Sequence, residues 1–173
     1  MATRQRSGRR PARATGTGTF RYTIDASVFV NAFNPHEEGH AESLAFLTAI
    51  QRTGDPIIVP TLMLPEIASA VARATNDGAG ALQYASATAA LPHLTLVSLT
   101  AATARQAAEL AANHRLRGAD AVYLAVAQRY AARLVSRDDE QRSRGAAVAT
   151  CQTPEDAVNE RQAAARPRKP RRS

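Results

Sequence analysis

The 173-residue chain has no tryptophan, one cysteine, two methionines, and only four phenylalanines and four tyrosines. A single thiol, Cys151, excludes an intrachain disulfide and a zinc site built from several cysteines, and it fits a reducing compartment. With most of the few aromatics reading as core residues, a platform for stacking single-stranded bases is unsupported. No apolar run approaches the roughly 20 residues that span a bilayer, and the N-terminus lacks the apolar core of a secretion signal. A soluble, cytoplasmic protein with no membrane role is therefore expected. The absence of a G-x-x-x-x-G-K sequence disfavours nucleotide-driven work.

The charge is one-sided, but only at the ends. Of the formal net charge of +7, residues 1–19 carry +5 and residues 159–173 carry another +5, which leaves residues 20–158 at −3. Both ends combine arginine with glycine or proline and almost no large apolar side chains. They cannot bury enough surface to offset the entropy of ordering. The expected organisation is a disordered basic tail (1–19), one folded domain (20–158) and a second disordered basic tail (159–173). Such arms attract phosphate backbones without sequence preference; a merely solubilising terminus is the alternative. A length of 173 residues supports one domain with a proper core.

Between the tails, strand-like and helix-like segments alternate. FRYTID (20–25) reads as a strand that runs into the helical ASVFVNAF. A helix over 37–53 places Ala41, Leu44, Ala45, Leu47 and Ile50 near one face, and Gly54 and Pro56 end it. PIIVP (56–60) is a short apolar strand, followed by the helix TLMLPEIASAVARA with Thr61 as its expected N-cap. Further helices are expected at about 78–90, 101–113 and 118–132. LTLVSL (94–99) and RLVSR (133–137) read as strands, DDEQRSRG as a short helix, and AVAT (147–150) as a weak last strand. Strands separated by helices imply an α/β fold: a central, mainly parallel sheet flanked by helices on both faces. Polar chemistry in such sheets gathers beyond the carboxyl ends of the strands, where strand order reverses.

Four acids fall at that edge. Asp25 ends the first strand, Glu66 shares a helical face with Leu62 and Ala70, Asp120 opens an apolar helix, and Asp138 follows the fourth strand. Taken singly, Asp25 and Asp138 read equally well as helix N-caps, Asp120 as a first-turn acid and Glu66 as a solvated one. Taken together they suggest a ligand crevice. Four converging carboxylates raise one another's pKa, a conflict that a hard divalent cation such as Mg²⁺ or Mn²⁺ resolves. The chemistry that follows is metal-assisted phosphodiester hydrolysis.

The segments IDASVFV, LPEIASAV, LRGADAVYLAVA and LVSRD, in that order, resemble the PIN-domain ribonucleases, and within them the VapC-type toxins of type II toxin–antitoxin pairs. The resemblance spans about residues 22–150. It implies a PIN fold, a Mg²⁺- or Mn²⁺-dependent endoribonuclease acting on RNA, a homodimer, and a cognate antitoxin whose tail reaches the acidic pocket. By position, Asp25, Glu66, Asp120 and Asp138 match the family's metal-holding catalytic quartet, and Ser27 and Ser136 its supporting hydroxyls. Satisfying nearby backbone groups is an equal role for Ser136. Of the adjacent Asp138 and Asp139, the family spacing selects Asp138. The basic tails lie outside the family pattern.

Arg115, Arg117, Arg137, Arg142 and Arg144 cluster in sequence around the third and fourth acids, either as RNA-backbone contacts or as a solvated face. Two other classes compete with the nuclease. His36-Glu37-Glu38-Gly39-His40 matches the H-E-x-x-H signature of zinc metalloproteases. However, it follows Asn34-Pro35 in a loop or frayed turn, contains a glycine, and is expected to be solvent-exposed. The second competitor is a non-catalytic nucleic-acid or protein-binding module of the same fold, which has little reason to hold four acids together.

Overall fold

The computed structural model describes residues 20–165. The tail assigned to residues 1–19 and residues 166–173 of the other tail lie outside them. Five strands, β1 (Tyr22–Ile24), β2 (Ile57–Pro60), β3 (Leu94–Val97), β4 (Arg133–Val135) and β5 (Cys151–Gln152), form one all-parallel sheet in the order β3-β2-β1-β4-β5. The chain winds outward from β1 through β2 to β3, then returns to the other side of β1 for β4. The β1/β4 boundary is therefore the point where strand order reverses.

Successive side chains of a strand point to opposite faces. Tyr22, Thr23 and Ile24 are all fully buried, so both faces of the central strand are covered. The helices that cover them are α1 (Ala26–Phe33), α2 (His40–Thr53), α3 (Met63–Thr75), α4 (Gly78–Ala89), α5 (Ala101–His114), α6 (Gly118–Arg129), α7 (Asp139–Gly145) and α8 (Pro154–Ala165). Helix α6 packs against β1, β2 and β4 with α5 beside it, which explains its apolar sequence: every residue from Ala121 to Ala127 is buried.

Four sequence expectations are corrected. Residues 159–165 belong to α8 and not to a tail, so the folded body extends past 158. Polar contacts hold this stretch: Glu160 is paired with Arg133 and accepts from Gln152 at 2.7 Å, while Arg161 pairs with the buried Asp55 and covers the Phe20 ring. The last strand is Cys151–Gln152 rather than AVAT, because Leu134 pairs with Cys151 and residues 147–149 are spent in the turn leaving α7. Thr61 does not cap α3; Leu62 occupies the cap position without a side-chain hydrogen bond. The buried face of α2 comprises Ser43, Phe46, Leu47 and Ile50, whereas Ala41, Leu44 and Ala45 are exposed. Ser43 is drawn inward by donating 2.7 Å to Oδ1 of the buried Asn31, a satisfied polar pair that periodicity alone does not reveal.

Candidate active site

Asp25 follows β1 directly, and its backbone N–H still pairs with Val135 of β4 at 2.9 Å. The side chain caps α1, with Oδ1 accepting from Ser27 N–H at 2.9 Å. Asp138, three residues past β4, caps α7 by accepting from Gln141 N–H at 2.9 Å. Glu66 stands in the first turn of α3, after β2, and Asp120 in the first turn of α6. The capping roles foreseen for Asp25 and Asp138 are thus real. They also aim both carboxylates outward at the carboxyl edge of the sheet, beside the point where strand order reverses.

There Asp25, Glu66, Asp120 and Asp138 line one open cavity of about 520 Å³ together with Ser27, Ser69, Arg73 and Arg117. Segments as distant in sequence as residues 25 and 138 therefore supply one acidic surface. Its electrostatics show the crowding. Burial pushes the Asp25 carboxyl above its ordinary range, against the opposing hydrogen bonds from Ser27 and Gln141. Burial likewise raises Glu66, with the charges of Asp25 and Asp120 adding to it and the Tyr123 hydrogen bond opposing. Asp120 is pushed up to about 6 by desolvation and by the neighbouring Asp25 and Asp138. Burial is the largest cause of all three shifts, and the neighbouring carboxylates add to it.

The donor set is hard oxygen throughout, which suits Mg²⁺ or Mn²⁺ rather than a soft or imidazole-seeking ion. Among the described residues, no group of three or more His, Cys, Asp or Glu side chains is gathered closely enough to hold a metal ion. A small hard cation that keeps several waters and takes one or two carboxylates directly fits an open acidic cavity of this kind.

The remaining candidates separate. Ser27 lines the cavity, and its hydroxyl accepts from Arg137 N–H at 3.2 Å. Ser136 is fully buried, and its hydroxyl accepts from Asp138 N–H at 3.0 Å, the backbone role anticipated as its alternative. Asp139 is exposed and paired with Arg142, so Asp138 alone of the two faces the cavity. Of Arg115, Arg117, Arg137, Arg142 and Arg144, Arg117 alone lines the cavity, at 3.6 Å from Asp138. Arg137 lies over Gly39 and donates to the Glu38 carbonyl at 3.1 Å. Arg142 donates to the Ser136 carbonyl at 2.7 Å, and Arg115 occupies the left-handed cap of α5. The segment from His36 to Gly39 forms the turn between α1 and α2, and His40 opens α2, so the two histidines do not share a helix as a zinc signature requires. His36 is exposed, while His40 is half-buried with Nδ1 at 3.1 Å from the Asn31 carbonyl.

Three site residues escaped sequence reasoning. Arg73 continues the helical face of Glu66 and Ala70 by one more turn, a signal present in the sequence. Tyr123 is fully buried and donates to Glu66 Oε2 at 2.6 Å. Gln141, also fully buried, donates from Nε2 to Asp25 Oδ2 at 3.3 Å. Neither of these two has a local sequence signal.

Comparison with known proteins agrees with this fold. The model of the PIN domain family matches residues 22–146. No curated protein sequence matches. Among solved structures, PAE2754 from Pyrobaculum aerophilum is similar with a TM-score of 0.62 at 16% identity, over 86% of this chain and 99% of that one. VapBC2 from Rickettsia felis, bound to a DNA fragment from its promoter, gives 0.59 at 13% identity, over 78% and 98%. The sarcin–ricin loop-cleaving toxin VapC20 of Mycobacterium tuberculosis gives 0.59 at 18% identity, over 71% and 93%. Identities this low speak for the fold alone, whereas the family match covers most of the chain, with all four acids inside it. The chain belongs to the PIN-domain family, whose members are generally nucleases.

Proposed function

We propose that this protein is a metal-dependent endoribonuclease that hydrolyses RNA phosphodiester bonds, and that it is the toxin of a toxin–antitoxin pair. The observation that carries the reading is the convergence of Asp25, Glu66, Asp120 and Asp138, from four separate segments, on one cavity at the carboxyl edge of the sheet. One or two of these carboxylates would hold Mg²⁺ or Mn²⁺ directly, the ion keeping several of its waters. When bound, such an ion neutralises charge on a scissile phosphodiester and assists attack by water. The residues of the chain do the rest. Burial of Asp25 and the mutual repulsion of the acids keep the site poised for a cation, because ionised carboxylates at this density are costly without one. Arg117 and Arg73, at the rim of the same cavity, offer the positive charge an RNA backbone requires beside an otherwise repulsive pocket.

A similar structure, the toxin–antitoxin complex from Klebsiella pneumoniae (TM-score 0.56, 18% identity, over 78% of this chain and 97% of that one), supports a cognate antitoxin as partner. A second surface supports it as well. An apolar groove of about 310 Å³ between α1, α2 and α4 is lined by Phe29, Leu44, Leu47, Tyr84 and Leu91. Leu44 on its lining and Phe33, whose ring centroid lies 4.6 Å from that of Tyr84, are exposed, and exposed apolar surface of this kind marks protein contacts. Homodimerisation through apolar helical surface belongs to the same reading. No described helix is long and apolar enough to cross a membrane.

The test is direct. The purified chain is incubated with single-stranded RNA, with structured RNA loops and with DNA, in Mg²⁺, in Mn²⁺ or in excess chelator. Cation-dependent RNA cleavage is the expected result; RNA cleavage that persists in chelator, or none in either cation, rejects the proposal. Growth arrest on expression of the chain alone, relieved by the product of a neighbouring gene, tests the toxin role.

A further inference from the structure

Helix α7 is a polar segment, DEQRSRG, yet one of its side chains is withdrawn completely from solvent. Gln141 is fully buried, while Asp139, Glu140, Ser143 and Arg144 around it are exposed. Its side-chain hydrogen bonds are confined to the acidic site. The side-chain Nε2 donates to Asp25 Oδ2 at 3.3 Å and to the Asp120 carbonyl at 3.4 Å. Its backbone N–H donates to Asp138 Oδ1 at 2.9 Å. One residue thus touches three of the four segments that supply acids.

The burial is not explained by packing. A leucine or methionine would fill the space without leaving a polar atom stranded, whereas Gln141 Oε1 is buried with no hydrogen-bond partner. An orphaned buried acceptor is destabilising, because its lost hydration is not replaced. What the amide provides in exchange is a neutral donor. With Oδ1 of Asp25 fixed by Ser27 N–H and Oδ2 by Gln141, both oxygens of that carboxylate are oriented. A lysine or arginine in this place would orient Asp25 too, but its charge would compete with a cation for the same carboxylate. An amide fixes direction and leaves the negative charge in place.

Resting on the nuclease reading of the site, we propose that Gln141 is a positioning residue that holds Asp25 in the orientation a divalent cation requires. It acts through Asp25 and does not touch substrate. Outer-shell partners of metal-holding groups typically contribute 10–100-fold in metal affinity or activity, and that is the scale expected here.

The experiment uses the full chain with Gln141→Met, close in length and without polar donors, Gln141→Leu as a second apolar shape, and Gln141→Glu, which replaces the donor by an acceptor. Folding is followed by circular dichroism and thermal unfolding, Mn²⁺ binding by calorimetry, and RNA cleavage by initial rates. The expected result is that at least one apolar variant melts at or above the wild-type temperature. That variant binds Mn²⁺ about 10–100-fold more weakly, with kcat falling in parallel and KM for RNA nearly unchanged; Gln141→Glu loses more. Wild-type Mn²⁺ affinity and wild-type kcat in a folded apolar variant overturn the assignment and leave Gln141 as a packing residue. Failure of the wild-type chain itself to bind Mn²⁺ or to cut RNA overturns the nuclease reading, and this assignment with it.

Discussion

The hydroxyl of Tyr123 donates a 2.6 Å hydrogen bond to Oε2 of Glu66, joining two helices whose residues lie 57 positions apart in the chain. The ring is fully buried beneath the acidic cavity, so the bond is shielded from solvent and the Glu66 carboxylate is held from below.

Tyr123→Phe removes that hydroxyl and nothing else. Hydrogen bonds to charged groups contribute about 1.5–3 kcal/mol, and for a chain of this size each kcal/mol corresponds to roughly 2–4 °C in melting temperature. The expected outcome is a fall of several degrees by calorimetry at neutral pH and a drop in RNA cleavage of about 10–100-fold. Cleavage at the wild-type rate would show that Glu66 needs no such support.

Asparagine caps helices about as well as aspartate. Asp25→Asn is therefore expected to abolish cleavage and leave the circular dichroism spectrum intact, and Asp120→Asn to do the same. Asp25→Ala should lose the cap of α1 as well, for about 1 kcal/mol of additional instability. Equal melting temperatures for the Asn and Ala variants would contradict the capping role.

Asp120 carries a pKa of about 6 in the folded chain against an ordinary 3.8, and Asp25 and Glu66 shift in the same direction. A folded-state pKa above the unfolded one means that the folded protein binds more protons between those values, so its stability declines as pH rises through the window. Without divalent cations, the melting temperature should fall between about pH 4 and pH 6.5 from this source, and Asp120→Asn should flatten the slope. Mn²⁺ at about 100 times its dissociation constant should restore stability near pH 7 by about 2.7 kcal/mol. A melting temperature indifferent to Mn²⁺ in the wild-type chain would rule out a cation at the acids.

Arginines near the site should divide into two groups. Arg73→Ala and Arg117→Ala are expected to weaken RNA binding and to lower the slope of log affinity against log salt by about one each. Arg137→Ala and Arg142→Ala should leave that slope unchanged, since both guanidinium groups are engaged with backbone carbonyls of the protein, away from the cavity lining. Binding measured across a salt series at fixed Mn²⁺ distinguishes the groups.

What the sequence discloses about this fold follows from the range of the interactions involved. Asp25, Glu66, Asp120 and Asp138 are legible because each stands at a strand end or on a helical face, features set by neighbours within a few residues. Gln141 and Tyr123 are not, because their partners Asp25 and Glu66 lie 116 and 57 residues away and nothing local announces them. The same limit hides the true face of α2. There alanines and leucines offer two plausible stripes, and the choice is made by the contact between Ser43 and Asn31. It also hides the end of the domain, since residues 159–165 have a tail's composition and become helix only by pairing with Arg133 and Asp55.

Because Asp25 and Asp138 each start a helix, a descendant of this protein that lost its chemistry would still be selected to keep an aspartate or a close substitute at both places. Their presence in a relative is weak testimony to activity. Glu66 is kept in part by its bond to the buried Tyr123 hydroxyl, whereas the Asp120 carboxylate closes no cap, so drift is free to erase it once catalysis is no longer needed. In a collection of related chains, position 120 would separate working enzymes from inert copies.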